Sequence, residues 1–361
     1  MRHIVYIGTN LGVVGGIERF MQKSAELLRR NGLAVSYLYT GYPVREAERF
    51  SSAFDVTVPF KDGAHLCEQA DLVIIHNIIP KKMLGHLPEK KTVFFAHDHN
   101  IYCRRHHYYM PLGRRNCHRK YTALRCFCCS LGCNEEPPIA EYRNLPALVL
   151  SDFMQENLYK NGFKIVLKLP AFIPLFEQGR QFMPEGKLRI FYLGQLIRGK
   201  GVDLLLYTLR FLKVPYHCTI AGDGKDRAML ENVTVKLHLS EHVEFTGWLS
   251  DTESEWSSSD VFFFPIRWQE PFGLVGLEAI AHGVPVVAFD RGGVREWLRD
   301  TKNGFAIPAG KQRLAAKALT RLQQSPELLK CMGKNAFEIA RKDFSEDNFI
   351  RAITTLPEVL K

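Results

Sequence analysis

Two carboxylates stand eight residues apart in Glu270-Pro271-Phe272-Gly273-Leu274-Val275-Gly276-Leu277-Glu278. The apolar order from Leu274 to Ala281 predicts a helix that starts near Gly273. A helix start leaves backbone amides without partners, and those of Leu274 and Val275 suit a phosphate. Gly273 would let the backbone approach a ligand closely. Glu270 falls in the turn before this helix and Glu278 about one turn along it, so the two could address opposite ends of one elongated ligand. Either glutamate alone reads equally well as a solvated side chain on an ordinary crossover helix. Lys200 lies between a predicted strand and a predicted helix, where an ammonium meets a diphosphate as a point charge. His97 directly follows another strand. Gly15 and Gly16 sit in a glycine-rich loop between the first strand and the first helix, a phosphate cradle in principle.

The elements that must hold these residues are short apolar runs bounded by glycine and proline. Ile4–Ile7, Leu33–Leu38, Leu72–Ile75, Thr92–Phe95 and Leu148–Ser151 read as strands of the first half. Leu188–Leu193, the run from His217, Val243–Trp248, Val261–Phe264 and Val284–Phe289 read as strands of the second. Helical patterns alternate with them; Ile17, Phe20, Met21, Ala25 and Leu28 mark one buried face. Strands alternating with helices predict an α/β fold with doubly wound parallel sheets, and ligands bind such sheets beyond the carboxyl ends of their strands. A chain of 361 residues favours two domains over one core.

The Glu270–Glu278 string resembles the Glu-x7-Glu motif of the retaining, two-domain (GT-B fold) glycosyltransferases of family 4. Both glutamates, the Pro-Phe-Gly after the first and the Gly283-Val284-Pro285-Val286-Val287 run after the second carry the likeness. Gly15-Gly16-Ile17-Glu18 resembles the same family's Gly-Gly-x-Glu element, and Gly194 to Asp203 its Gly-Arg-Leu-x-x-x-Lys-Gly-x-Asp motif. Gln195 stands where arginine is usual; Arg198 is a candidate for the missing cation. The resemblance implies two Rossmann-like domains facing across a cleft. Residues 1–172 are expected to bind acceptor, 173–186 to link, 187–343 to bind nucleotide-sugar, and a helix over 344–361 to return to the first domain. It implies that Glu270 and the amides of Phe272, Gly273 and Leu274 hold the donor sugar, and that Glu278 binds the ribose hydroxyls. His97 would contact the sugar, with Asp98 a candidate to orient it. Lys200 and the Gly15-Gly16 loop would face the diphosphate, and Gly222 and Gly224 form a turn near the nucleotide.

One stretch departs from an ordinary domain. Residues 101–134 contain no Asp or Glu, seven Arg or Lys, and six of the nine cysteines. One reading is a basic, aromatic face for a lipid-linked or otherwise anionic acceptor, with Glu18, Arg104, Arg105, Arg114 and Arg115 toward the acceptor or membrane. A second is a structural zinc on Cys103, Cys117, Cys126 and Cys129, with iron–sulfur a lesser option; Cys126 and Cys129 alone have the Cys-x2-Cys spacing. A third is a solvated insertion with free thiols.

The net charge of +10 favours anionic partners, with no recognised nucleic-acid module to take them up. No apolar run is long enough to span a bilayer, and the start reads as a strand, so the expectation is a cytoplasmic protein, peripheral on the inner face of the membrane where the basic stretch engages it. The activity expected is transfer of a hexose from a UDP- or GDP-linked donor to an acceptor hydroxyl, with no cofactor required, for cell-surface polysaccharide, lipopolysaccharide or glycolipid. A phosphorylase or synthase of the same fold is an alternative. Another is a non-catalytic nucleotide-sugar or polysaccharide-binding protein. A dinucleotide dehydrogenase is disfavoured, because the first loop lacks Gly-x-Gly-x-x-Gly spacing and Leu38-Tyr39-Thr40-Gly41 offers no acid.

Overall fold

A computed structural model describes residues 1–110, 115–129, 136–174 and 186–360. The chain divides into two compact units, residues 1–172 with 346–361, and residues 173–345. Most of the expected linker, residues 175–185, lies outside the described residues.

The first unit holds a seven-stranded sheet in the order Val56–Pro59, Ala34–Tyr39, His3–Gly8, Leu72–Ile75, Thr92–Phe95, Ala147–Val149, Val166–Lys168. All six pairings are parallel. The central strands are buried on both faces and therefore read as unbroken apolar runs. Two edge strands were not legible as strands. Val56–Pro59 ends in a proline, and Val166–Lys168 is only three residues long, with a lysine at its end. Both are short edge pieces, which need little burial and tolerate such residues. The C-terminal helix, Glu346–Val359, is grouped with this unit; Arg30 pairs with Glu346 at 2.9 Å and the rings of Phe172 and Phe349 lie 4.5 Å apart.

The second unit holds six parallel strands ordered Val243–Gly247, Tyr216–Ala221, Leu188–Leu193, Val261–Phe264, Val286–Phe289, Gly304–Ile307. In each sheet the strand order reverses beside the first strand of the unit. Connections leave in opposite directions there, which opens a crevice at the carboxyl ends. In the first unit that point lies between His3–Gly8 and Leu72–Ile75, and in the second between Leu188–Leu193 and Val261–Phe264.

The basic stretch is more embedded than its charge suggests. Ile101, Tyr102 and Tyr108 are buried in the core of the first unit. A short antiparallel pairing of Tyr109–Met110 with Arg115–Asn116 and a short helix, Ala123–Cys129, follow. Among the described residues no helix is long and apolar enough to cross a membrane.

Candidate functional site

The second unit brings Lys200 and Glu270 together across its switch point. Lys200 Nζ donates to Glu270 Oε2 at 2.9 Å, although the residues are 70 apart in sequence. Two close approaches produce this. A Cβ on Gly199 would fall 1.5 Å from the ring of Trp268, and one on Gly201 would fall 2.0 Å from the carbonyl oxygen of Pro265. The loop after the first strand of this unit is thus pressed onto the segment that follows Val261–Phe264 and leads to Glu270. Gly199 O accepts from the amides of Arg267 and Trp268 at 2.9 and 3.2 Å, closing the same contact.

The turn after Glu270 is held from behind. Trp297, fully buried, donates Nε1–H to the carbonyl of Phe272 at 2.7 Å. Its ring fills the space that a side chain at Gly276 would need. Gly273 has φ +87 and caps the Leu274–Ala281 helix without a side chain, so the cap residue itself supplies no acceptor to the helix's first amides. Gly292 lies so close to the backbone of Glu270 that a Cβ would meet its oxygen at 2.1 Å, and Gly293 donates to that oxygen at 2.7 Å. Glu270 is therefore anchored by its main chain while its carboxylate stays partly open. Burial, and then Glu270 itself, push the phenol of Tyr192 well up from its ordinary range.

The other residues singled out in this unit fall around the same strand ends. Glu278 is half-buried, one turn into the helix. Gln195 and Arg198 are exposed on the loop before Lys200. The carbonyl of Arg198 accepts from Nε of Arg267, whose guanidinium also pairs with Asp203. Arg267 is thus a second cation beside Lys200 that sequence reasoning missed. Its only signal was a basic residue three before Glu270. Gly222 and Gly224 pack against the backbone of Gly194 and Leu196, where a Cβ would fall 2.0 and 2.5 Å from a carbonyl oxygen.

In the first unit, Gly15 precedes the Gly16–Arg30 helix. Glu18 was expected on the acceptor or membrane face, but it is buried. One carboxylate oxygen accepts from the Gly15 amide at 3.0 Å and the other from Asn10 Nδ2 at 3.1 Å. It holds the glycine loop shut from within, as carboxylates near a helix start do. His97 is half-buried. Its Nε2 lies 2.9 Å from Nδ1 of His76, which ends the neighbouring strand. Burial pushes His97 down to about 3, and burial together with His97 holds His76 well below the usual imidazole range. Both rings are neutral at physiological pH. Asp98 does not orient His97: its carboxylate accepts from the amide and the side chain of Asn100 at 2.9 and 2.8 Å.

The basic insertion also differs from a simple open face. Arg104 is buried and paired with Glu136 at 2.5 Å, and Arg105 donates Nε–H to the carbonyl of Cys129 at 2.7 Å. These two arginines brace the insertion. Arg114 and the side chain of Arg115 lie outside the described residues. Cys103, Cys126 and Cys129 carry free thiols, and Cys117 lies within electrostatic reach of all three. Among the described residues, however, no group of three or more His, Cys, Asp or Glu is arranged to hold a metal ion.

Two doubly wound parallel sheets with these loops at their switch points define a GT-B glycosyltransferase fold. Anabaena HepE, solved with UDP, superposes with a TM-score of 0.75 over 99% of this chain and 100% of its own at 17% identity. Residues 176–339 match the model of the family "Glycosyl transferases group 1". Among curated relatives, the lipopolysaccharide core biosynthesis glycosyltransferase LpsE of Rhizobium meliloti is 29% identical over 155 residues, 43% of this chain and 45% of LpsE. The alpha-D-kanosaminyltransferase of Streptomyces kanamyceticus is 30% identical over 161 residues, 43% of this chain and 42% of that protein. The matched region spans about half the length of these relatives.

Proposed function

We propose that this protein transfers a hexose from a UDP- or GDP-linked donor to an acceptor hydroxyl, with retention at the anomeric carbon, in the synthesis of cell-surface polysaccharide, lipopolysaccharide or glycolipid. The observation that carries the reading is the Lys200–Glu270 pair at the switch point, beside a helix start without a side-chain cap. Such a pair is a ready exchange site. A donor diphosphate would take Lys200 and the amides of Leu274 and Val275, and would release the Glu270 carboxylate to the sugar hydroxyls. Glu278 would hold the ribose, and the Gly222–Gly224 turn would lie near the nucleotide. In the reaction the bond from the anomeric carbon to the diphosphate breaks and the bond from the acceptor oxygen forms. The acceptor's proton leaves with the nucleoside diphosphate. Positioning and stabilisation of the departing charge supply the rate. Family resemblance assigns Gly15, Gly16 and His97 of the first unit to the same reaction.

Support for the donor class comes from HepE, solved also with UDP-glucose, and support for the setting from LpsE. An anionic membrane face for the stretch 101–134 is part of the proposal. It rests on the net positive charge and on the exposed Leu124 and Phe127 of the Ala123–Cys129 helix. The four cysteines considered for a structural zinc, Cys103, Cys117, Cys126 and Cys129, share a neighbourhood without being arranged to hold a metal, so zinc is not part of the proposal; elemental analysis finding zinc in gently purified protein would reinstate it. The test of the main reading is thermal shift with UDP, GDP, ADP and CMP, followed by turnover of the matching nucleotide-sugars. Stabilisation by one nucleotide together with release of that nucleotide from its sugar supports it. Tight binding of nucleotide-sugar with no transfer to any acceptor would support a binding protein instead.

A further inference from the structure

We propose that His76 is a positioning residue that fixes the tautomer of His97, making His97 a neutral hydrogen-bond donor through Nδ1 toward a ligand oxygen. The ring centroids of His76 and His97 are 5.1 Å apart with planes 17° apart. That separation is close to the largest that a 2.9 Å contact between two ring nitrogens permits. The rings therefore meet edge to edge and the hydrogen bond runs along both ring planes, the favourable alignment.

Both imidazoles are neutral, so each carries one N–H and one lone pair. Two arrangements satisfy the contact. In one, His97 donates Nε2–H to His76 Nδ1, and His76 then carries its own proton on Nε2. That nitrogen is buried and has no hydrogen-bond partner among the described residues. In the other, His76 donates Nδ1–H to His97 Nε2, and His76 Nε2 is a bare lone pair. A buried N–H without an acceptor is the rarer and costlier of the two defects. No nitrogen or oxygen of a described residue accepts from that position, and the flanking rings, Tyr6 at 4.4 Å and Phe95 at 5.5 Å, offer only the much weaker π contact. The second arrangement wins, and it leaves His97 with its proton on Nδ1.

The consequence is chemical. Nδ1 of His97 makes no hydrogen bond to a described residue, and the rings of Phe95 and Phe20 hold the imidazole at 4.2 and 5.5 Å. His97 is thus a fixed donor for a hydroxyl or phosphate oxygen, and it does not serve as a proton acceptor. Naming that oxygen as one of the donor sugar rests on the proposed function; the tautomer does not.

Nitrogen-15 NMR of the full chain without ligand reads the tautomer directly, with His76→Asn and His97→Asn used for assignment. We expect His97 protonated on Nδ1 and His76 on Nδ1. A proton on Nε2 of His97 overturns the proposal. In transfer assays His76→Phe removes the donor and is expected to lower kcat/KM by about tenfold. His76→Asn keeps an N–H in nearly the same place and is expected to restore most of it. Equal losses in both variants would mean that His76 only fills space. Should His76→Phe fail to fold, the NMR result on the wild-type chain still decides. Absence of any turnover with every donor would sink the proposed function while leaving the NMR readout untouched.

Discussion

Breaking the Lys200–Glu270 pair is the most informative perturbation. The two side chains are 25% and 13% exposed and lie 2.9 Å apart. This places the pair between exposed ion pairs, worth less than about 1 kcal/mol, and buried ones, where removing one partner costs about 3–5 kcal/mol. A coupling of about 1–2 kcal/mol is the reasonable middle. Lys200→Met and Glu270→Gln should each destabilise the protein by about that amount, or about 2–8 °C in a domain of this size. The double variant should lose little more than either single one, because neither then leaves an unpaired charge. Activity should behave differently. Lys200→Met removes the charge that would meet the diphosphate and should lower kcat by about 10²–10³. A saturating nucleotide should abolish the stability coupling, since the phosphate would replace Glu270 as the partner of Lys200. The assay is urea unfolding of wild type, both singles and the double, with and without nucleotide, beside initial rates. Additive stability effects, or a coupling unchanged by a nucleotide that binds, would refute the exchange argument.

Other outcomes follow from particular contacts. Gly199→Ala forces a Cβ into the ring of Trp268 and should displace Lys200, with a large fall in both stability and activity. Gly85→Ala has no atom nearer than 3.8 Å and ordinary helical φ, so it should be neutral or slightly stabilising; circular dichroism melts compare the two. Trp297→Phe leaves the Phe272 carbonyl without its donor and should cost about 1–3 kcal/mol, read by urea unfolding. Because His97 and His76 are held neutral in the folded chain, the unfolded chain binds more protons below about pH 6.5. The contribution of His97 is therefore fully present above that pH and is lost as pH falls toward about 3, by up to about 1.4 kcal/mol per pH unit, and that of His76 is lost in the same direction on the acid side. His97→Gln should flatten the acid limb of a stability–pH curve; an unchanged limb would contradict the burial argument.

The parallel strands were legible because strands buried on both faces must be apolar throughout, as in Leu72–Ile75, Thr92–Phe95 and Val261–Phe264. The glycines of the nucleotide loops were legible as glycines, but what crowds them was not. Nothing local in the sequence says that Trp268 lies over Gly199 or Trp297 over Gly276. Glu18 and Arg104 looked like surface charges because charge is usually exposed. Their burial depends on partners at Gly15 and Asn10, and at Glu136, that only folding brings near. Val56–Pro59 escaped notice because an edge strand carries little of the apolar pattern that marks a central one.

By itself the amino-acid order determined two things here: the alternation of strand and helix, and the residue types at the strand ends that could face a sugar and a diphosphate. Both are local properties, set by side-chain periodicity and by what each group can donate, accept or neutralise. The tertiary structure decided which of those groups meet. Lys200 reaches Glu270, and His97 reaches His76 while Asp98 turns to Asn100, because parallel pairing sets strands distant in sequence side by side and ends them at one edge. Contacts across such a sheet are long-range by construction, so their identity is fixed by strand order and register.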